Sequence, residues 1–289
     1  MKLSLIIVTY KSMQYMPALL ESIKTYVRDE HEVIVVDNNS GDDIGTFLAQ
    51  KYPEVKVVLN TTNGGYSRGM NQGFAISTGE YVAFMNPDME FVMDPFARLI
   101  SQFNSRPNFG FVAPQLRYAD GSLQPTVKNS PSLWSQIWIL FKLHHVYATR
   151  AVRNYWSHAF NYTVSQPAQH LMGAFLFTSR ARALEIGLWD ESYPLLWEDE
   201  DICEMAIKKG FQNYFCADVH VMHYEGRSFA TVAAPAKQKR FNKGMRIYFK
   251  KHIGIFAYSV LLLLHPVSMI LAYTVNFLKI KPRTQSSLQ

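Results

Sequence analysis

The chain has 289 residues, of which 48% are hydrophobic and 14% aromatic. This composition excludes a disordered chain and suits one large domain or two small ones. The two cysteines, Cys203 and Cys216, are too few for a disulfide framework and fit a reducing compartment. The N-terminal run "MKLSLIIVTY" is too short for a signal-peptide core and lacks a small-residue cleavage site, so we interpret it as a strand and expect no export.

The net charge of +6 is unevenly distributed along the chain. Residues 235–289 contain ten Lys or Arg and no Asp or Glu, which leaves residues 1–234 with a net charge of −4. A nucleic-acid-binding protein would more often carry positive charge on its folded body, so we expect no nucleic-acid partner. A basic tail beside apolar residues suggests contact with an anionic membrane surface instead.

Strand patterns alternate with helix patterns in the first part of the chain. Strands are predicted at 3–10, 32–40, 55–60 and 80–85, and helices at 15–27, 44–52 and after the glycine-rich loop within 63–77. This alternation predicts an α/β fold with an open, mostly parallel sheet flanked by helices. In such sheets ligands bind beyond the carboxyl ends of the strands, where Thr9-Tyr10, Asp37-Asn38-Asn39 and Asn86-Pro87-Asp88 form a polar rim.

The second part of the chain begins with a less regular stretch, about 115–170, that is rich in Trp, Tyr and His. A turn is predicted at 120–126, strands at 172–179 and within 219–228, and helices at 179–187 and 197–210. The last of these helices begins with four acids and ends with two lysines before a glycine, which complements the helix dipole.

The tail changes character from Lys237 onwards, where basic residues alternate with an apolar stripe typical of an amphipathic helix. The stripe consists of Phe241, Met245 and Phe249. Between Lys251 and Lys279 lie 27 residues without Asp, Glu, Lys or Arg, which is long enough to span a bilayer. Basic clusters flank both sides and Pro266 lies near the centre. We favour a segment lying in the cytoplasmic leaflet; a true span and a buried helix pair are the alternatives.

Two of the rim carboxylates each have two interpretations. Asp88 could bind a divalent metal at a diphosphate, because Mg²⁺ and Mn²⁺ prefer hard oxygen donors, or it could belong to a simple Asn-Pro-Asp turn. Asp37 could hold a nucleoside after the second strand, or cap a helix. Residue type alone does not separate these interpretations.

The glycine-rich loop at 63–73 is neither a GxGxxG motif nor a Walker A loop, which argues against dehydrogenase and kinase functions. Gly65 would still allow close approach of a phosphate, and Arg68 could add a charge-assisted contact. The acids Glu198 to Asp201 could be a solvated helix start or, beside an apolar stretch, carboxylates of raised pKa that act as a general base. His223 could be structural or a metal or diphosphate ligand.

Seven motifs in a fixed order resemble the family 2 inverting glycosyltransferases, over about residues 1 to 230, and within them a bacterial rhamnosyltransferase-like branch. The motifs are "SLIIVTYKS", "EVIVVDNNS", "NGGYSRGMNQG", "GEYVAFMNPD", "MGAFLFTSR", "GLWDESYPLLWEDEDI" and "VHVMHYEGRS". The resemblance implies a GT-A fold, a nucleotide-diphospho-sugar donor and a divalent metal, Mg or Mn. It also divides the domain into a nucleotide-sugar-binding half, 1–115, and an acceptor-binding and catalytic half, 116–234, with the membrane-associating tail at 235–289.

The resemblance also implies a role for each motif residue. Asp199 would be the catalytic base, and Glu198 and Asp201 would orient either that base or the acceptor. Asp88 and His223 would bind the metal. The donor-binding residues would be Thr9, Tyr10, Asp37, Asn39, Gly65, Arg68, Asn71 and Asn86. Asn86 stands where the family has the first acid of its Asp-x-Asp element, which leaves Asp88 as the main ligand.

The implied reaction is the inverting transfer of one sugar to a hydroxyl of a lipid-linked or cell-surface glycan, such as a bacterial polysaccharide or O-antigen. The resemblance to the rhamnosyltransferase-like branch implies dTDP-rhamnose as donor and the cytoplasmic side of the inner membrane as location. The Gln-x-x-Arg-Trp motif of processive synthases is missing, which argues for single additions. The rival hypotheses are a sugar nucleotidyltransferase and a membrane-docked sugar-binding scaffold on an inactive fold.

Overall fold

The structure, a computed structural model, describes residues 2–224 and 234–277. Its strands are β1 Leu3–Thr9, β2 His31–Asp37, β3 Lys56–Leu59, β4 Tyr81–Met85, β5 Met89–Phe91, β6 Phe109–Arg117, β7 Leu123–Gln124, β8 Val127–Lys128, β9 Gln166–Ala168, β10 His170–Leu171, β11 Phe175–Ser179 and β12 Gln212–His223. Its helices are α1 Met16–Tyr26, α2 Ile44–Lys51, α3 Tyr66–Ile76, α4 Phe96–Asn104, α5 Leu133–Leu140, α6 Arg150–Tyr155, α7 Arg180–Ile186, α8 Glu198–Lys208, α9 Ala234–Tyr248 and α10 Ile255–Phe277. A π-helical turn, Phe249–Ile253, joins α9 to α10.

One mixed sheet organises the chain, in the order β3-β2-β1-β4-β11-β6-β12-β5. β3, β2, β1 and β4 are parallel, and β6 and β12 run in the same direction. β11 lies antiparallel between β4 and β6, and β5 is antiparallel to β12. The predicted α/β fold with a mostly parallel central sheet is confirmed, and the parallel pairing sets Thr9 beside Asp37 at the rim.

Helices cover both faces of the sheet, as the apolar central strands β1 and β4 require. Because successive side chains of a strand point to opposite faces, Leu5 and Ile7 of β1 join one core cluster and Ile6 and Val8 join another. The first cluster includes α1, α2 and α4, and the second includes α3, α7 and α8.

Three strands differ from the sequence predictions by more than one residue at an end. β2 ends at Asp37 rather than residue 40, because Asn39 adopts a left-handed backbone with φ of 60°. The strand predicted at 172–179 begins at Phe175. The strand predicted within 219–228 begins earlier, at Gln212, and ends at His223; residues 225–228 of that prediction lie outside the described residues.

The described part of the tail forms a helical hairpin, α9 followed by α10. The stripe predicted on α9 packs against the body of the protein: Phe241, Met245 and Phe249 surround the buried Trp197. Of the helices described, α10 alone is long and apolar enough to cross a membrane.

Candidate active site

The turn after β2 fixes a buried carboxylate at the rim of the sheet. Asp37 accepts hydrogen bonds from the Ser40 amide, at 3.1 Å, and from the Ser40 hydroxyl. That hydroxyl also accepts a bond from the Lys11 amide at 2.8 Å, which ties the β1 and β2 loops together. Beside Asp37, the hydroxyl of Thr9 is buried and has no hydrogen-bond partner among the described residues.

The structure brings the glycine-rich loop to the same rim. Gly65, with φ of 88°, begins α3, and its carbonyl accepts a 3.0 Å hydrogen bond from the side chain of Asn38. Of the other predicted donor residues, Tyr10, Asn39 and Arg68 are exposed around this loop and the rim. The donor-side residues therefore meet at the carboxyl ends of β1 and β2.

Asn71 stands apart from these residues. Its side-chain nitrogen donates to the Trp189 carbonyl and to Glu191, each at 2.9 Å, while its oxygen accepts the Trp189 amide at 3.1 Å. These bonds join α3 to the loop before α8, and the contact of Asn71 with the donor stays a prediction.

Asp88 and His223 come together from different ends of the chain. His223 Nε2 lies 3.4 Å from Asp88 Oδ1 and 3.4 Å from Asn86 Nδ2. On the other side of the ring, His223 Nδ1 lies 2.8 Å from Gln124 Oε1. A carboxamide oxygen only accepts, so Nδ1 is protonated, and Nε2 is the ring nitrogen that faces Asp88 and Asn86.

This pair fits a metal bound largely by its substrate. Residues 2–224 and 234–277 contain no group of three or more His, Cys, Asp or Glu side chains that could hold a metal. Mg²⁺ and Mn²⁺ are commonly held by one or two carboxylates, with substrate phosphates and water completing the shell. Asp88 and His223 satisfy that smaller requirement, and Gln124 fixes the ring as an outer-shell partner does.

The acidic start of α8 is mostly buried, so the solvated helix start considered from the sequence is wrong. Glu200 accepts bonds from Lys128 at 2.6 Å and from Tyr155 at 3.2 Å. Asp201, 1% exposed, accepts from Tyr193 at 2.9 Å and also contacts two basic side chains of the tail. These are His252, whose Nε2 lies 2.6 Å from Asp201 Oδ1, and Lys251, at 2.9 Å from Oδ2.

Asp199 is the one acid of the four that remains partly exposed. Burial raises the pKa of Asp199 well above its usual range, the charge of neighbouring Glu200 raises it further, and Lys128 opposes the shift. Burial likewise raises the pKa of Glu198 to about 7, and its Oε2 has no hydrogen-bond partner in the described structure. Two carboxyl groups with raised pKa values thus lie at the start of one helix.

The backbone just before β11 connects the Asp88–His223 pair to these carboxyl groups. The Asn86 amide donates to the Ala174 carbonyl at 2.9 Å, and the preceding Gly173 amide donates to Asp199 Oδ2 at 3.2 Å. A side chain at residue 173 would crowd Asp199, because a Cβ atom there would lie 3.0 Å from the Asp199 Cβ. The Tyr66 hydroxyl donates to the Gly173 carbonyl at 2.7 Å. Burial raises the pKa of this hydroxyl, and the negative charges of Asp199 and Asp88 raise it further.

A cavity of about 530 Å³ opens beside Asp199. Its polar lining includes Asp199, Glu200, Lys128 and Gln124. The rest of the lining is largely apolar and aromatic. It includes Ile139, Tyr155, Trp156, Leu171 and Phe241. The cavity can thus hold a ligand that has both hydroxyl groups and an apolar face.

The backbone before α8 is strained. Leu195, Leu196 and Trp197 have φ values of 82°, 80° and 78°, a conformation that costs roughly 1–2 kcal/mol for each residue other than glycine. Helix α9 holds this turn in place: a Cβ atom at Gly244 would lie 2.6 Å from the Leu196 carbonyl oxygen. The tail therefore supports the turn that presents Asp199.

Gln124, Lys128 and Tyr66 are candidate functional residues that the sequence reasoning missed. Gln124 and Lys128 lie in two-residue strands within the irregular middle of the chain, where no periodicity marks them. The aromatic ring of Tyr66 gave no signal beyond its position at the start of the helix that follows the glycine-rich loop.

The fold and the carboxylates Asp88 and Asp199 are compatible with a glycosyltransferase, and comparisons with known proteins show that class. The family model for glycosyl transferase family 2 matches residues 4–163, so the chain belongs to that family. A relative from Mycobacterium tuberculosis, N-acetylglucosaminyl-diphospho-decaprenol L-rhamnosyltransferase, is 26% identical over 241 residues, covering 78% of this chain and 77% of the relative. The low-salt glycan biosynthesis hexosyltransferase Agl10 of Haloferax volcanii is 24% identical, covering 85% and 72%.

Solved structures share the GT-A fold. The S. aureus TarS 1–349 structure in complex with UDP-GlcNAc has a TM-score of 0.55 at 19% identity, covering 86% of this chain and 65% of that one. The GalNAc-T7 structure with UDP, GalNAc and Mn2+ has a TM-score of 0.59 at 14% identity, covering 77% of this chain and 43% of that one. The predicted fold class and enzyme class are both confirmed.

Proposed function

We propose that this glycosyltransferase transfers a single sugar, with inversion, from a nucleotide-diphospho-sugar to a hydroxyl of a lipid-linked or cell-surface glycan. One observation carries the proposal: Asp199 faces the cavity and is bonded to Gly173, whose neighbour Ala174 is bonded to Asn86, two residues before Asp88. A base and a diphosphate-binding carboxylate therefore flank one short piece of backbone.

Each group at the rim would have a chemical role in binding the donor. Asp37 and Thr9 would bind the nucleoside, and the α3 start at Gly65 would face the diphosphate with its positive end. Asp88 and the Nε2 lone pair of His223 would hold a divalent metal, Mg or Mn. When bound, that metal neutralises the charge that develops on the departing diphosphate.

The acceptor side uses the raised pKa of Asp199. An acceptor hydroxyl is a poor nucleophile until a positioned carboxylate removes its proton. In the cavity, Asp199 would take that proton while Lys128 keeps Glu200 ionised and in place. Glu198 would support Asp199 from the same helix start, and attack from the face opposite the diphosphate inverts the anomeric carbon.

In this proposal Asp201 would position Asp199 rather than contact the acceptor. Both its oxygens are bonded, to Tyr193 and His252 on one side and Lys251 on the other, and the side chain is buried. Asp201 therefore anchors α8 to the tail and so steadies Asp199 two residues earlier.

The Mycobacterium tuberculosis relative supports a rhamnosyl donor and a lipid-diphosphate acceptor, since its name states both a diphospho-decaprenol and L-rhamnose. We therefore infer dTDP-rhamnose as the first donor to test and the cytoplasmic face of the bacterial inner membrane as the location. The apolar side chains that line the cavity and the apolar helix α10 are consistent with an acceptor presented at a membrane.

A donor panel tests the proposal. The full-length enzyme is incubated with dTDP-rhamnose and UDP sugars, a prenyl-diphosphate-linked sugar acceptor, and Mn²⁺ or excess chelator, and product release is measured. We expect metal-dependent transfer and a product of inverted anomeric configuration. Asp88→Ala should weaken metal-dependent nucleotide binding, whereas Asp120→Ala, an exposed turn acid, is the matched control. Metal-independent binding without turnover would favour the inactive scaffold.

A further inference from the structure

We propose that the hairpin of α9 and α10 docks in the plane of a membrane containing anionic lipids, with α10 embedded along one leaflet rather than crossing the bilayer. The biological setting rests on the proposed action at a lipid-linked acceptor. The observations that carry the inference concern the hairpin itself.

Helix α10 has two different sides. One side packs against the protein through small and apolar residues, which are Ala257, Leu261, Ser268 and Ala272. The other side is apolar and exposed: Phe256, Leu263, Ile270, Tyr273 and Phe277 are each 62% to 85% exposed. A continuous apolar stripe of this length on a helix surface marks a contact with lipid or protein.

The partner helix α9 excludes a crossing orientation. Asn242, midway along α9, donates to Ser268 at 2.7 Å and bonds His265 at 2.9 Å, midway along α10. Lys239 and Lys243 flank Asn242 and are exposed. If α10 crossed a bilayer with this packing intact, both lysines would lie at hydrocarbon depth, where ammonium groups are strongly disfavoured.

The packing of the hairpin on the catalytic domain also excludes an α10 that crosses the bilayer. The same hairpin packs on α5 and on Trp197, so a hydrophobic cluster joins Ile139 and Leu140 to Leu261 and Tyr248. A crossing helix would draw this polar domain into the bilayer. With α10 in the plane, the exposed stripe can enter the acyl region while the domain stays in water.

Charge selects anionic lipid as the occupant over a second copy of the chain. Residues 235–289 carry ten Lys or Arg and no acid, and the described body that a second copy would offer is only mildly acidic. Each basic residue near an anionic surface contributes favourably to binding, whereas two such hairpins would repel each other.

Vesicle binding tests the surface. The full-length protein is sedimented with vesicles of phosphatidylcholine alone or mixed with phosphatidylglycerol. We expect stronger binding to the mixed vesicles, a loss of about tenfold or more for Leu263→Glu combined with Ile270→Glu, and about fivefold for Lys239→Gln. Leu184→Glu, on the exposed surface of α7, is the matched control and should bind normally. Equal binding by all variants, or concentration-dependent dimers in place of vesicle binding, would overturn the proposal.

Cysteine labelling distinguishes an α10 helix that lies in the plane of the membrane from one that crosses the bilayer. Cys203 and Cys216 are buried, so single cysteines at Lys250→Cys and Asn276→Cys can be read with a membrane-impermeant maleimide. We expect both positions to react in inverted membrane vesicles and neither in intact spheroplasts. Reaction of either position in spheroplasts would show a span and overturn the proposal. Transfer activity is a separate readout, so its loss would question the proposed function without bearing on this orientation.

Discussion

The turn after β2 and the start of α8 both present carboxylates to the active site, but they hold them differently. Asp37 is fixed by Ser40, three positions along the chain. On α8, Glu200 is fixed by Lys128 and Asp201 by His252, which are 72 and 51 positions away. The proposed donor side is thus a local turn, whereas the proposed base side forms only when distant segments have docked.

This difference implies that activity and stability are coupled more strongly at the start of α8 than in the β2 turn. A change in the β2 turn acts on one carboxylate and its neighbours. A change in the α8 cluster reaches the tail, the cavity wall and the strained turn at Leu195–Trp197 together, because these share partners. The predictions below separate the two regions by the size and kind of effect.

The largest effect should follow Asp199→Asn. Removing the base should lower transfer about a thousandfold, since positioned proton transfer contributes roughly 10²–10⁴. Donor affinity should be unchanged, which titration calorimetry with nucleotide can measure. Asp218→Asn, a surface acid paired with Arg98, is the control. Normal turnover in Asp199→Asn would remove it as the base.

Asp201→Ala should destabilise the fold most. The substitution leaves the buried His252 ring without its carboxylate and removes one of the two carboxylates of Lys251, and breaking a buried pair costs about 3–5 kcal/mol. Urea unfolding measures the change. Asp190→Ala also removes a Lys251 contact but from a half-exposed site, so its loss should be about 1 kcal/mol or less. Equal losses in the two variants would contradict the anchoring role.

Glu198→Gln should stabilise the protein in a pH-dependent way. The pKa of Glu198 is about 7 in the folded protein against 4.5 normally, so ionisation destabilises the fold as the pH rises through that window. The free energy of unfolding should rise by about 2 kcal/mol near pH 8 and change little near pH 5. Glu191→Gln, an exposed acid, should show no such window. A pH-independent effect would indicate a packing change instead.

Ser40→Ala should have the smallest effect of these four substitutions, and the effect should be confined to the donor side of the site. It removes a hydroxyl bond to Asp37 and should cost about 1–2 kcal/mol in unfolding free energy, with weaker nucleotide binding. The turnover rate at saturating donor should be near normal. A large fall in turnover at saturation would show that the two regions are coupled after all.

The sequence predicted those features whose causes lie close together along the chain. Apolar strands ending in polar residues marked the rim, so the positions of Asp37 and Asp88 at strand ends followed from local patterns. Gln124 and Lys128 did not, because their partners His223 and Glu200 are 99 and 72 positions away. Such contacts are set by the tertiary fold and leave no local periodicity.

The tail shows the same limit. Its pattern correctly predicted an amphipathic helix along α9, because spacing records which side of a helix is apolar. Spacing does not record what that side will contact. The apolar side meets Trp197 of the catalytic domain, and the exposed lipid-type stripe belongs to α10.

The packing of α9 on Trp197 also makes folding and lipid binding thermodynamically linked. A ligand that binds only the folded state raises the unfolding free energy in proportion to the logarithm of its concentration. Because the hairpin that would receive lipid also clamps the turn before α8, anionic vesicles should raise the melting temperature of the catalytic domain itself. A chain ending after Gly254 would keep the packing of α9 on Trp197 but would lose the rise in melting temperature with anionic vesicles. Residue 254 is therefore the position at which to separate the catalytic domain from the membrane-binding helix.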